Sequence, residues 1–337
     1  MKLNSILKAF TYLFALLFII SCKTETQKDE SIDAVTPMND TIQLLDSLIK
    51  SDVRNSDLYF DRALYYKSRG VYPKAIADIY SALHIDSANV DYYLFAGELF
   101  LDMNEGVKAA GLMSKGINMN PENQELYIKA IEYNYYLQNY EASLNFANDL
   151  IQINKYNADA YFLKGMIVKE IGQEDKAIST FQTCIEVDPS FYNAHMQLGL
   201  IYSYNSDDLA VQYFENALSL DDNSREAMYA IAYHYQLKDD FIPAVKKYKE
   251  MILRDAKDHE IFFNIGHCYI GLDSLDKAYK HFDLAIQIQP QYAGAYYMKG
   301  NISEIRGNNA DALTNYKQAL LMLPDDTTIT NAIERVQ

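Results

Sequence analysis

From residue 40 onward the apolar residues of the chain fall into columns that recur about every 34 positions. An aromatic column runs Tyr59, Tyr93, Tyr127, Tyr161, His195, Met228, Phe262 and Tyr296, with every spacing 34 except one of 33. A second column, Ala75, Ala109, Ser143, Ala177, Ala210, Ala244, Ala278 and Ala312, carries the same single slip. The shared slip places a one-residue deletion between His195 and Ala210, in the turn near 205–208. A third column is small: Ala63, Gly97, Ile131, Gly165, Gly199, Ala232, Gly266 and Gly300. Small residues at that period mark where two helices approach too closely for a large side chain. The prolines punctuate the same unit. Pro121, Pro189, Pro290 and Pro324 fall just after a second helix. Pro73 and Pro243 fall near the start of one, where a missing N–H costs little.

The pattern predicts eight helix pairs, at about 56–89, 90–123, 124–157, 158–191, 192–224, 225–258, 259–292 and 293–326. A lone helix over 41–50, with Ile42, Leu45, Leu48 and Ile49 on one face, precedes them. Residues 327–337 form a closing helix, with Ile329, Ala332, Ile333 and Val336 at helical spacing. Atypical ends are what a stacked array requires.

The period and these columns resemble the tetratricopeptide repeat, whose pattern is W-x2-L-G-x2-Y, then A-x3-F, then P. The seventh unit matches through Phe262, Ile265, Gly266, Tyr269, Ala278, Phe282, Ala285 and Pro290. The fourth matches through Tyr161, Gly165, Ala177, Phe181 and Pro189, with Cys184 at the second small position. The third departs from it, with Ile131 for Gly, Ser143 for Ala and Leu150 for the second Ala, and distorted packing is expected there. The resemblance implies an all-α fold over 40–337: a right-handed α-solenoid superhelix of eight tetratricopeptide helical hairpins, with a lone helix capping each end. First helices would face its concave side.

Residues 1–22 carry a different pattern. Lys2 and Lys8 give a basic start, and Ala9–Ile20 is a run of 12 residues without charge. That is signal-peptide length, short of the roughly 20 residues that span a bilayer. The run ends in Ile19-Ile20-Ser21-Cys22, which resembles the bacterial lipobox. The resemblance implies a signal peptide over 1–21, cleavage before Cys22, and attachment of acyl chains such as palmitate to that cysteine. Residues 22–39 then read as a flexible tether, reaching on the order of 25 Å by random-coil scaling. The expected location is the bacterial cell envelope, lipid-anchored to the outer membrane on its periplasmic or surface face. Lys-Thr-Glu-Thr after Cys22 resembles the start of such proteins more than an inner-membrane retention signal.

Composition narrows the partners. Formal net charge is −16, and loss of Lys2 and Lys8 with the leader takes it to −18. That balance opposes binding to nucleic-acid phosphates and a purely electrostatic hold on anionic lipid. Cys184 and Cys268 lie three repeats apart, too far to bridge, and read as small buried residues.

In the resembled family the concave groove is built by the first helices. Carried over by position, its lining here is Phe60, Phe95, Ile128, Phe162, Met166, Met196, Tyr229, Tyr233, Phe263, His267, Tyr297 and Met298. An apolar, aromatic patch of this kind marks a binding surface, suited to a peptide or an amphipathic helix. The same residues could instead pack on one another as core. A carboxylate clamp is not supported, because Lys67, Lys129 and Lys169 are scattered among Asp61, Glu98, Glu132 and Glu170. A row of acids, Asp57, Asp91, Glu125, Asp159, Glu226 and Glu260, begins the first helices. It complements the helix dipoles, and it could also attract a basic partner.

No catalytic or metal-binding constellation stands out. The six histidines form no H-E-x-x-H pair and no Cys/His cluster at zinc spacing, and no nucleophile elbow, Walker loop or dinucleotide fingerprint occurs. No cofactor is implied. The reading is a membrane-anchored scaffold for protein partners, not an enzyme, with a periplasmic carrier or chaperone for a hydrophobic ligand as the alternative.

Overall fold

A computed structural model describes residues 38–337, so the leader, Cys22 and all but the end of the expected tether lie outside the described residues. Every described element is an α-helix. In chain order these are α1 (Met38–Ser51), α2 (Ser56–Ser68), α3 (Tyr72–Ile85), α4 (Val90–Asp102), α5 (Gly106–Met119) and α6 (Gln124–Tyr136). There follow α7 (Tyr140–Ile153), α8 (Ala158–Glu170), α9 (Glu174–Val187), α10 (Tyr192–Tyr204), α11 (Leu209–Leu220) and α12 (Arg225–Leu237). The last are α13 (Phe241–Arg254), α14 (His259–Gly271), α15 (Leu275–Ile288), α16 (Ala293–Ile305), α17 (Asn309–Met322) and α18 (Thr327–Val336). The expected hairpins are therefore present, with a lone helix before them and one after. The chain divides into two compact units at Ile85/Asp86.

In the first unit α1 and the pair α2–α3 are joined by one cation. Arg62 of α2 gives Nε and Nη2 to the Asp78 carboxylate at 2.8 and 2.6 Å, and Nη1 to Asp46 of α1 at 2.5 Å. The planar guanidinium fork serves two carboxylates from different helices at once. Helix α1 starts at Met38, so the last two residues assigned to the tether are helical.

The second unit stacks seven pairs in sequence order and ends in α18. Its interior repeats one contact. The Phe181 ring fills the space where a Cβ on Gly165 would stand, 2.5 Å from Cε1. Phe214 does the same to Gly199, Phe282 to Gly266 and Tyr316 to Gly300. These second-helix rings are fully buried, as is Tyr248 beside Ala232. Each contributes on the order of 1.5–3 kcal/mol by leaving water.

Two local devices recur that the hydrophobic columns did not reveal. The turn inside each pair contains one residue with positive φ: Asn104, Gln138, Gly172, Ser206, Asp239, Asp273 and Gly307, with Gly70 in the first unit. The next amide then reaches back over the helix end, as Glu105 N does to Phe100 O at 2.8 Å and Gln173 N to Val168 O at 2.9 Å. This is a helix stop made by backbone geometry. At the other turn, the side chains of Asn89, Asn123, Asn157, Ser224 and Asp258 accept from the first amides of the next first helix. Each such cap is worth about 1 kcal/mol.

Helix α11 has 12 residues where its counterparts have 14, and the turn before it is one residue longer than in other pairs. The shortening falls on the second helix and not on the turn. The third unit keeps the regular helix lengths, 13 and 14 residues in α6 and α7. Its Ser143, in place of Ala, donates its hydroxyl to the Ile131 carbonyl at 2.8 Å, and this buried bond satisfies the extra polar group.

Candidate functional site

The first helices α12, α14 and α16 carry a run of aromatic side chains, each braced from beneath. Tyr229 and Tyr233 lie one turn apart on α12, and their rings stack at 5.9 Å and 15°. Phe263 and His267 make the corresponding pair on α14, edge to face at 4.6 Å and 78°. Under this layer stand the buried second-helix rings. Tyr248 meets Tyr229 at 5.9 Å, Phe282 meets Phe263 at 5.4 Å and Tyr316 meets Tyr297 at 5.6 Å. A half-buried ring held by a fully buried one loses little further freedom on binding a partner.

The cap position feeds the same layer. Where other units have Asn, Ser or Asp, two carry aromatics, Phe191 and Tyr292, and neither makes a side-chain cap. Phe191 packs on Phe162 at 5.0 Å and Tyr292 on Phe263 at 4.9 Å. A helix cap has been exchanged for a ring contact. His259 adds its edge to Tyr292 at 4.8 Å.

Polar pins set the orientation of the tyrosines. Asn264 donates to the Tyr229 hydroxyl at 3.1 Å, and the Tyr248 hydroxyl donates to Gln236 at 2.9 Å. Arg225 lies over the Tyr229 ring at 5.8 Å while binding Asp258 through Nε and Nη2 at 2.9 and 2.5 Å. Burial raises the Tyr229 phenol above its ordinary range and pushes Tyr292 up to about 12. Both hydroxyls therefore stay neutral and able to donate. Burial also raises the Glu226 carboxyl and lowers the His267 imidazole.

The expected groove residues divide by depth. Phe95, Phe162 and Met196, expected in the lining, are core residues at 6%, 3% and 0% exposure. Phe162 is covered by Phe181 and Phe191, and Met196 packs with Phe214 and Ile231. Ile128, Met166, Tyr229, Tyr233, Phe263, His267, Tyr297 and Met298 are half-buried in the second unit, and Phe60 is half-buried in the first. Four residues that sequence reasoning passed over are exposed: Tyr136, Tyr204, Leu237 and Ile305. They end α6, α10, α12 and α16, four residues beyond Glu132, Leu200, Tyr233 and Asn301. The i+4 rule for one helix face was the signal that could have found them.

Among the polar groups, Lys169 of α8 donates to Gln197 of α10 at 2.6 Å, and burial lowers its pKa. Lys129 is paired with Glu132 at 2.9 Å. A cavity of about 200 Å³ is floored by Met228, Met251 and Ile261 and rimmed by Arg225, Arg254 and Asp258. It is smaller than the pockets that enclose drug-sized ligands and its rim is charged, so it lends nothing to a carrier of hydrophobic molecules. Cys184 and Cys268 are buried and free, and burial pushes both thiols up to about 12, so neither is a reactive thiolate at neutral pH. Among the described residues no group of three or more His, Cys, Asp or Glu side chains could hold a metal ion. No described helix is long and apolar enough to cross a membrane.

The tetratricopeptide repeat family model matches residues 158–191 and 259–292, which are the fourth and seventh units. Those two units match the family, and the fold of the described residues is that of an all-α tetratricopeptide array. The chain is similar to the DnaJ homolog subfamily C member 7 homolog of Dictyostelium discoideum, 21% identical over 94% of this chain and 64% of that protein. It is also similar to the general transcriptional corepressor ssn6 of Schizosaccharomyces pombe, 24% identical over 40% of this chain and 13% of that one. The chain thus spans less than two thirds of the length of either relative. Among solved structures, it resembles the C-terminal part of a TPR repeat-containing protein from Cytophaga hutchinsonii, with TM-score 0.63 and 14% identity over 73% of this chain and 99% of that one. A tetratricopeptide repeat protein from Parabacteroides merdae gives TM-score 0.51 and 16% identity over 73% of this chain and 98% of that one. These likenesses show the fold. Repeat arrays of this kind present extended surfaces for protein partners.

Proposed function

We propose that this protein is an interaction scaffold of the bacterial envelope, tethered through a lipid on Cys22, that binds a peptide or amphipathic helix along its first helices. The observation that carries the binding half is the braced aromatic layer of α12, α14 and α16. Tyr229, Tyr233, Phe263, His267 and Tyr297 come from three consecutive repeats, and each has its ring contacts already made. Tyr is among the residues that dominate binding energy at interfaces, and Phe is enriched in their cores. The tether rests on the lipobox-like Ile19-Ile20-Ser21-Cys22.

Two experiments test the two halves. Peptides selected from a random display library against the full chain in detergent are expected to bind wild type and to lose at least tenfold in affinity to Tyr233→Ser with Tyr297→Ser. Selection that returns no binder, or binders indifferent to that pair, sinks the groove. Growth of expressing cells with a clickable palmitate analogue should label wild type and leave Cys22→Ser unlabelled; equal labelling removes the anchor.

A further inference from the structure

We infer that the turn edge of the fifth and sixth repeats, which begins one helical turn beyond Tyr233 and adjoins the aromatic layer, is a second docking surface whose partner is a basic amphipathic helix. The edge is formed where α10 passes into α11 and α12 into α13. Four large apolar side chains stand out from it: Tyr204 at 63% exposure, Leu209 at 43%, Leu237 at 44% and Ile242 at 71%. Two end first helices and two lie at the start of second helices. Single exposed hydrophobics need no explanation, but four gathered on one edge do.

The four belong to one surface because the two turns are tied together. Lys238, at the end of α12, forms an ion pair with Asp208, at the start of α11. Phe241 then rests against Gly271 of the next repeat, so the edge runs on toward Asp273 and Asp276.

Charge selects the occupant. The turns Asn205–Asp208 and Lys238–Asp240 hold Asp207, Asp208, Asp239 and Asp240, all exposed, against one lysine that is already spent on Asp208. Asp207 is engaged locally, its carboxylate accepting from Leu209 N at the start of α11 at 2.9 Å, but helix capping does not account for Asp208 and Asp240. Asp208 and Asp240 occupy the N-cap positions of α11 and α13, and neither side chain makes a cap hydrogen bond. An apolar stripe bordered by carboxylates complements a helix with an apolar face flanked by Lys or Arg. Anionic lipid would be repelled by the same carboxylates, and so would the same edge of a second copy. Neighbouring first helices pack about 8–10 Å apart, so a helix of roughly two to three turns covers both repeats.

The test uses the full chain in detergent and a fluorescent 18-residue Leu/Lys model helix with leucines at i, i+3, i+4 and i+7. Controls are a shuffled Leu/Lys peptide and a Leu/Glu counterpart. Binding is expected to weaken at least tenfold in Leu237→Asp with Ile242→Asp, and at least fivefold, with a shallower salt dependence, in Asp207→Lys with Asp239→Lys and Asp240→Lys. Tyr156→Ser, exposed at 70% but far along the chain from this edge, should stay within twofold of wild type, and an excess of a display-selected groove peptide should not displace the helix, which separates this edge from the aromatic layer. Circular dichroism melts establish that the variants fold; a photo-crosslinker at position 242 maps contact to the helix without relying on them. The inference is overturned if the double variant binds as wild type, if either control peptide binds equally well, or if the groove peptide displaces the helix. It is also overturned if sedimentation shows that the edge variants abolish self-association of the chain, which would assign the edge to a second copy.

Discussion

Phe214 occupies the space that a methyl group on Gly199 would need: a Cβ there would sit 2.4 Å from Cε1 and 2.5 Å from Cδ1 of the ring. The ring is fully buried and cannot swing away, because Met196 and Ile231 pack in the same cluster. Gly199→Ala is therefore expected to destabilise the second unit by roughly 1–3 kcal/mol, the usual cost of overpacking a core. Gly266→Ala should behave alike, with Phe282 at 2.6 Å. A second change, Phe214→Leu, should recover part of the loss at Gly199. Gly111, an exposed mid-helix glycine with nothing within 4 Å of its would-be Cβ, gives the contrast. Gly111→Ala should stabilise by about 0.5–1 kcal/mol. Urea unfolding of all four variants checks the signs.

The left-handed turn residue offers a second experiment. Gln138 has φ of 58°, a conformation that costs an ordinary L-residue about 1–2 kcal/mol. Gly172 and Gly307 occupy the same place in their repeats without that cost. Gln138→Gly is expected to raise stability by roughly 0.5–1 kcal/mol, after the greater freedom of glycine in the unfolded chain is subtracted. Gly172→Ala should lower it by about 1 kcal/mol. Thermal melts in which both changes shift the midpoint the same way would contradict this account of the turn.

The Arg62 cluster makes a prediction confined to the first unit. Asp78 is buried at 5% exposure, and removing its carboxylate leaves the guanidinium with Asp46 alone. Asp78→Ala should cost roughly 2–3 kcal/mol, at the low side for a buried pair because Arg62 keeps some contact with water. Replacing both partners by apolar residues, Arg62→Met with Asp78→Leu, should cost less than the single change. Amide exchange across 38–85 is the measurement. A double variant as damaged as Asp78→Ala would show that the pair itself is worth more than its desolvation.

His234 should give the second unit a dependence on pH. It is buried at 1% exposure, its Nδ1 lies 3.0 Å from the Ser203 hydroxyl, and its Nε2 has no hydrogen-bond partner. Burial, and then Lys238, lower its pKa from the ordinary 6.5, against a smaller raising effect of Asp208 and Asp207. The unfolded chain therefore takes up this proton before the folded one does. Stability from this group is complete above about pH 6.5 and falls as pH drops through the unfolded value toward the folded one. His267 and His281 are lowered by burial in the same direction, so the contribution of His234 is read as a difference. His234→Gln should lose less stability than wild type between pH 7.5 and 5.5 in denaturant titrations. Parallel losses in the two proteins would remove His234 from the explanation.

Much of this fold was legible because one unit is written eight times. The two columns through Tyr59 and Ala75 each set the register, and their common slip located the short repeat to within a few residues. Slip and shape were still not the same thing: the missing residue shortens α11 while the turn before it grows. Ile131 and Ser143 looked like errors in their columns. They fit each other, since the serine hydroxyl bonds the carbonyl of the isoleucine across the hairpin. The site was less legible. Phe162 and Tyr229 hold equivalent places in their repeats, yet Phe162 is core and Tyr229 is half-buried. Phe191 covers Phe162 from the cap position, whereas the cap residue after Tyr229 is Asp258, which holds Arg225 instead.

By itself the sequence determined the helical period, the number and order of the pairs, the lone helix at each end and the balance of charge. Those are properties of near neighbours along the chain, set by 3.6-residue periodicity, small residues and proline. Only the tertiary structure decided how deep each first-helix side chain lies and which exposed residues share an edge. Depth depends on rings arriving from the second helix and from the next cap, 15 to 30 residues away, as Phe282 and Tyr292 reach Phe263. The shared edge depends on an ion pair 30 residues apart, Lys238 with Asp208. Such contacts are fixed when helices stack, and no local rule of spacing contains them.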